Sequence, residues 1–186
     1  MAYWLSRKYR VAPEPLSALV AEAYAIGTQA RLDPTLILAV MAIESRFNPF
    51  AASPVGAQGL MQVMTRVHTD KYQDFGGTLA AFDPVTNLRV GTQVLKDAIR
   101  SAGSIDGGLR LYVGAVNTDG QDYVDKVLSE HERLTRVAHG QRVAHTDYQR
   151  ATPPPTASAT ETPSTAPAED TAPPSPLALA ANSHAS

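Results

Sequence analysis

The chain contains no cysteine, so disulfides, thiolate metal sites and thiol catalysis are excluded, and stability has to come from a packed core. Its 186 residues suffice for one such domain. Histidine is also scarce. His68, His131, His139, His145 and His184 show neither H-x-x-x-H nor H-E-x-x-H spacing, so no metal and no other cofactor is expected. Long apolar runs are missing too: the longest, Leu36 to Ile43, falls far short of the roughly 20 residues that span a bilayer. No transmembrane segment is expected in this chain. The basic start MAYWLSRKYR is not followed by a secretory apolar region, so no export signal is visible.

Charge of one sign is lacking as well. All 16 Lys and Arg fall within residues 1–150, against 15 Asp and Glu, and no basic stripe interleaved with aromatics points to nucleic acid. After position 150 aromatic residues disappear while eight of the 14 prolines accumulate among Ala, Ser and Thr. Such a segment cannot bury a core. Residues 140–186 are therefore expected to form a disordered tail behind a domain of residues 1–139.

What is present is helical periodicity. From Pro15, the positions Leu16, Leu19, Val20, Ala23, Tyr24 and Gly27 recur at three-and-four spacing. Asp33-Pro34 reads as an N-cap followed by proline at the first helical position, and Asn48-Pro49 closes the segment, predicting a helix from 34 to about 45. Asp83-Pro84 repeats the cap and opens a helix in which Leu88, Gly91, Val94, Leu95, Ala98 and Ile99 share a face. A shorter helix is predicted from Ile105 to Gly114, and a last one over about 121–138 that buries Val124, Val127, Leu128, His131, Leu134 and Val137. No window alternates as a strand would, so the predicted fold is all-α.

One carboxylate stands out. Leu36, Val40 and Glu44 are spaced four apart, so Glu44 extends an apolar face of a helix that is apolar nearly all round. It also occupies the last turn, where unpaired carbonyls already gather negative charge. Burial and the helix end both favour the neutral acid and raise its pKa, the condition for a general acid near neutral pH. The alternative is a buried glutamate paired with Arg46.

The residues that follow bear on that choice. E-S-x-F-N-P at 44–49, then S-P-x-G-A-x-G-L-M-Q-x-M at 53–64, resembles the signature of the soluble-type (SLT) lytic transglycosylases of the lysozyme-like superfamily. Downstream, Asp83-Pro84 with Asn87-Leu88 and Gly91 resembles the family's next helix, Leu111-Tyr112 its active-site tyrosine segment, and Tyr123-Val124-Asp125-Lys126-Val127-Leu128 its closing Y-V-x-K-V-L helix. The likeness spans residues 25–130 or so, in order.

The resemblance implies a lysozyme-like helical domain that cleaves peptidoglycan glycan strands without water. Glu44 would protonate the oxygen between N-acetylmuramic acid and N-acetylglucosamine, then deprotonate the muramic 6-hydroxyl, leaving a 1,6-anhydro end. One carboxylate suffices in such substrate-assisted chemistry, unlike glycosidases that pair two. No other Asp or Glu lies between Glu44 and Thr69, while Asp70, Asp74 and Asp83 stay open as partners. Ser53, Gln62, Met64 and Tyr112 match substrate-binding residues of the family, and the Tyr112 hydroxyl is expected near Glu44. Leu60 and Met61 are expected in the core, and Gly56 and Gly59 serve either a close approach to sugar or the turn alone.

Two positions depart from the family pattern: Val113 replaces an asparagine and Val67 a threonine, which removes polar contacts to glycan. A muramidase using water and a non-catalytic peptidoglycan-binding scaffold on the same fold remain the alternatives. The implied location is the periplasm or cell envelope, with MAYWLSRKYR as the remainder of a leader or anchor. No segment identifies a protein partner.

Overall fold

The computed structural model describes residues 1–114 and 119–145. These form helices α1 (Ala2–Tyr9), α2 (Pro13–Ala30) and α3 (Pro34–Glu44), a small ribbon of β1 (Ala57–Gln58) and β2 (Val63–Met64), and helices α4 (Thr69–Tyr72), α5 (Pro84–Ala102), α6 (Ile105–Tyr112) and α7 (Gln121–Ala138). Two 3-10 segments, Gln73–Phe75 and Thr78–Phe82, lead into α5. The fold is all-α, with the helices packed around α3.

Residues Thr35 to Ala42 are all buried, so α3 is the central strut, as its all-round apolar sequence requires. Full burial of each Leu or Ile there contributes about 1.5–3 kcal/mol. Its start is fixed by Asp33, whose Oδ1 accepts the Thr35 N–H at 2.8 Å, with Pro34 at the first helical position. Asp83 does the same for α5, accepting the Thr86 N–H at 2.8 Å. Helix α7 runs antiparallel to α3: the Thr35 and Thr135 hydroxyls meet at 3.0 Å at one end, and Glu44 meets Tyr123 at the other.

Several expectations are corrected. Within MAYWLSRKYR, Ala2–Tyr9 form a helix that the periodicity did not predict: Trp4 and Leu5 join the core, and the Tyr9 hydroxyl donates to buried Glu130 of α7 at 2.7 Å. Helix α2 begins at Pro13, and its buried stripe runs through Leu16, Leu19, Ala23, Ile26 and Gly27 while Tyr24 stays exposed. The antiparallel ribbon, Ala57 opposite Met64 and Gln58 opposite Val63, was not anticipated, because two-residue strands have no periodicity to read. Helix α6 ends at Tyr112 instead of Gly114.

Beyond α7 the chain folds back. The Trp4 indole N–H donates to the Val143 carbonyl at 2.9 Å, and the Trp4 and His145 rings stack with centroids 5.2 Å apart, although composition placed both partners past the domain boundary at 139. The rest of the expected tail, from residue 146, lies outside the described residues, as does Ala115 after the tyrosine segment. Among the described residues, no helix is long and apolar enough to cross a membrane.

Candidate active site

Glu44 is the last residue of α3 and is half-buried. Burial pushes its carboxyl up to about 7, against a smaller opposing effect of a hydrogen bond from Tyr123. That bond is 2.6 Å, from the Tyr123 hydroxyl in the first turn of α7 to Glu44 Oε1. The acid is thus held by two helices whose packing is set elsewhere, by the apolar α3–α7 seam.

After Glu44 the chain turns sharply. Arg46 and Phe47 both take left-handed backbone angles, φ 52° and 65°, which residues with side chains seldom adopt. The turn is held by Phe47, which is 2% exposed and packs edge-on to Tyr9 at 5.1 Å, and by the Asn48 N–H donating to the Ser45 carbonyl at 3.0 Å. Arg46, the ion-pair partner suggested by the sequence, faces instead a separate cavity and makes no ion pair with Glu44. Ser45 is spent on the helix end, its Oγ donating to the Met41 carbonyl at 3.2 Å.

The returning loop is tied down at both ends. The Ser53 N–H donates to the Ala57 carbonyl at 2.9 Å and Ser53 Oγ accepts the Ala57 N–H at 3.0 Å, so Ser53 closes a tight turn while its hydroxyl proton remains available. Farther along, wholly buried Asn87 of α5 accepts the Met61 N–H at 2.8 Å and donates to the Gln58 and Ala81 carbonyls, both at 2.9 Å. One side chain thereby joins the ribbon, the 3-10 segment and α5.

Gln62 is half-buried at φ 47°, and its Nε2 donates to the Ala51 and Gly59 carbonyls at 3.0 Å each, which leaves Oε1 as the atom able to meet a ligand. Met64 is half-buried on β2. Leu60 and Met61 are fully buried. Gly59 serves protein packing: a Cβ there would lie 2.2 Å from the Ala81 carbonyl oxygen, whereas nothing lies within 4 Å of one at Gly56.

Tyr112 and Tyr123 divide the work expected of one tyrosine. The Tyr112 hydroxyl donates to the Met61 carbonyl at 2.7 Å, so Tyr112 anchors the ribbon while remaining within the electrostatic reach of Glu44. Burial, then the Glu44 charge, raises its pKa well above that of an ordinary tyrosine. The hydroxyl that touches Glu44 is that of Tyr123, likewise raised by burial first and Glu44 second. Sequence reasoning passed over Tyr123 and Asn87 as site residues, though both stand in motifs it had quoted.

Of the other carboxylates, Asp83 is committed to its cap and held below the usual range by the Thr86 N–H, while Asp70 and Asp74 are exposed. Among the described residues, no three His, Asp or Glu side chains gather as metal ligands would. Val67 and Val113 are both exposed, apolar positions on the surface.

Comparison with known proteins bears on the family and the fold. A family model described as Transglycosylase SLT domain matches residues 9–132. A transglycosylase of Enterobacteria phage PRD1 is 34% identical over 93 residues, 50% of this chain and 33% of that protein. The soluble lytic murein transglycosylase of Salmonella typhimurium is 39% identical over 72 residues, 36% of this chain and 11% of that one. The membrane-bound lytic murein transglycosylase C of Salmonella typhi is 43% identical over 70 residues, 34% of this chain and 19% of that one. The chain therefore spans no more than a third of the length of these relatives. The solved structure of an inactive mutant of the Pseudomonas aeruginosa lytic transglycosylase Slt shares the fold, with a TM-score of 0.53 at 20% identity over 69% of this chain and 25% of that one.

Proposed function

Since the chain belongs to the Transglycosylase SLT domain family, we propose that it is a peptidoglycan lytic transglycosylase with Glu44 as its single general acid and base. The observation that carries this is the Glu44 carboxyl, placed at the end of a buried helix with its pKa raised to about 7. At neutral pH a large fraction of such a group still holds its proton, and the rest is a competent base.

In the first step the Glu44 proton passes to the glycosidic oxygen between N-acetylmuramic acid and N-acetylglucosamine, and the bond from that oxygen to the muramic C1 breaks. The departing sugar keeps the proton as its new hydroxyl. The muramic acetamido group stabilises the cationic carbon, a role that glycosidases of paired carboxylates give to the second one. In the next step Glu44, now a carboxylate, takes the proton of the muramic 6-hydroxyl as that oxygen closes on C1. The acid is restored and no water is consumed. The Tyr123 hydroxyl donates more strongly to the carboxylate than to the protonated acid, so it supports the step in which Glu44 gives up its proton.

Ser53, Gln62, Met64 and Tyr112 form the substrate-binding set in this reading. Ser53 offers its hydroxyl proton, Gln62 its Oε1 and Met64 an apolar edge on β2, while Tyr112 keeps the ribbon that carries them in place. Residues 1–139 supply this machinery. Since peptidoglycan lies outside the cytoplasmic membrane, the site of action is the periplasm or cell envelope.

Mass spectrometry of fragments released from purified peptidoglycan tests the proposal. Products one water lighter than hydrolytic fragments are expected. Hydrated ends would replace it by a muramidase, and bound glycan without fragments would replace it by a non-catalytic module.

A further inference from the structure

Tyr9, the last residue of α1, touches both supports of the acid. Its ring meets Phe47 edge-on with centroids 5.1 Å apart, and its hydroxyl donates to Glu130 Oε1 of α7 at 2.7 Å. Phe47 lies three residues beyond Glu44 and is buried, with a left-handed φ of 65° that a residue with a side chain keeps only where packing imposes it. Glu130 lies seven residues beyond Tyr123, which places both on one face of α7 with Val127 between them. One side chain thus connects the turn that ends α3 with the helix face that brings the Tyr123 hydroxyl to Glu44.

The Glu130 end of this link is fixed. Its buried carboxylate takes Lys8 of α1 and, at 3.2 Å, Arg133 of its own helix on Oε2, besides Tyr9 on Oε1. A charged acceptor makes the Tyr9 bond stronger than one to a neutral oxygen. Burial first and the Glu130 charge second raise the pKa of Tyr9 well above that of an ordinary tyrosine, so the hydroxyl keeps its proton and stays a donor. The other charges facing Tyr9 are Lys8, 5.2 Å from its ring centroid, Arg46 of the turn and Arg133 of α7. Glu44 is faced by Tyr123 of α7 and Tyr112 of α6. With its hydroxyl committed to Glu130, Tyr9 reaches the acid through its two supports.

We propose that Tyr9 is a positioning residue for Glu44, clamping the Phe47 turn to the Glu130 face of α7 so that the Tyr123 hydroxyl stays within hydrogen-bond reach of the carboxyl. The catalytic consequence rests on the transglycosylase reading, whereas the hold on Glu44 does not. Lys8 also ties α1 to Glu130, but Tyr9 adds the second arm, to the turn. Placement matters at this point because a displacement of about 1 Å at a reacting group can cost on the order of a hundredfold in rate.

The test is an NMR titration of the Glu44 side-chain carboxyl in the full chain, for the wild type, Tyr9→Phe, Tyr123→Phe and the double variant. Tyr9→Phe keeps the ring against Phe47 and removes the tie to Glu130, so the fold is retained, as circular dichroism checks. With α7 freer the Tyr123 bond weakens, and the Glu44 midpoint should rise from about 7 toward that of Tyr123→Phe. In the Tyr123→Phe background the Tyr9 substitution should have no further effect, because the bond it positions is already gone. An unchanged midpoint in Tyr9→Phe, or an equal shift in both backgrounds, overturns the proposal. Arg133→Gln is the control: it removes a Glu130 partner within α7 without releasing α1, and should leave the midpoint at its wild-type value. A shift as large as that of Tyr9→Phe would make the effect a general loosening and overturn the proposal. On peptidoglycan, kcat of Tyr9→Phe should fall about tenfold at nearly constant KM, and a loss confined to KM would overturn it. If the wild type releases no fragments, the transglycosylase reading fails on its own, and the Glu44 titration still decides on Tyr9.

Discussion

The Tyr123 hydroxyl donates to Glu44 Oε1 across 2.6 Å, joining the first turn of α7 to the last turn of α3. The contact works against the burial of the same carboxyl, because a donor favours the ionised form that desolvation disfavours. Desolvation is the larger effect, and the outcome is an acid poised near 7. Without the donor the group would titrate higher, and without burial lower.

Tyr123→Phe removes the donor and keeps the ring. The pKa of Glu44 should rise further, so the alkaline limb of the kcat/KM profile, expected near pH 7 in the wild type, should move to higher pH in the variant. At its own optimum kcat should be lower, because the carboxylate formed after protonation of the leaving group has lost its hydrogen bond. A pH-rate profile of both proteins on peptidoglycan checks this, and superimposable alkaline limbs would reduce Tyr123 to a packing residue.

Glu44→Gln retains the shape of the side chain without a titratable proton. Turnover should drop by about 10²–10⁴-fold or more, the usual contribution of general acid–base catalysis, while the variant remains folded. Circular dichroism with dye-release from labelled peptidoglycan separates the two readouts, and wild-type turnover in Glu44→Gln would remove this residue from the chemistry.

The same substitution reports on stability. Glu44 titrates at 4.5 in the unfolded chain and at about 7 in the folded one, so the folded state binds the proton more tightly. Its favourable contribution is complete below pH 4.5 and is lost as pH rises through about 7. At about 1.4 kcal/mol per unit, the wild type should lose up to about 3 kcal/mol relative to Glu44→Gln across that window. Urea denaturation at pH 4 and pH 8 measures the difference, and parallel pH dependences for the two proteins would show that the carboxyl is not buried enough to matter.

The helices that position the acid were legible because their caps are local. Asp33-Pro34 and Asp83-Pro84 satisfy orphan N–H groups within one turn, whatever surrounds them. Helix α1 was not legible. Its eight residues mix Lys and Arg with Trp4 and Leu5, and their burial depends on α2 and on the return of Val143, a contact 139 residues away in sequence. The choice between Tyr112 and Tyr123 was of the same kind: both are tyrosines in quoted motifs, and only the antiparallel α3–α7 packing decides which hydroxyl meets Glu44. Arg46 was misplaced because helical spacing says nothing about two successive left-handed residues.

Gly56 and Gly59 stand three residues apart in one motif, and substitution should separate them. Both have positive φ, 92° and 76°, so alanine is strained at either site, by about 1–2 kcal/mol for the backbone alone. At Gly56 that is the whole expected effect, since the space around it is open. At Gly59 the new methyl would meet the Ala81 carbonyl oxygen at 2.2 Å and Asn87 Nδ2 at 2.3 Å, atoms fixed by buried hydrogen bonds. Relief requires Asn87 to release Met61, Gln58 or Ala81, leaving buried polar groups unpaired at about 1–3 kcal/mol each. Gly59→Ala should therefore destabilise the fold by about 3 kcal/mol or more, and it should weaken cleavage by loosening the ribbon that carries Gln62 and Met64. Asn87→Ala should resemble it in both respects. Chemical denaturation of the three variants checks the order, and equal losses for Gly56→Ala and Gly59→Ala would mean that the Asn87 bracket does not govern the ribbon.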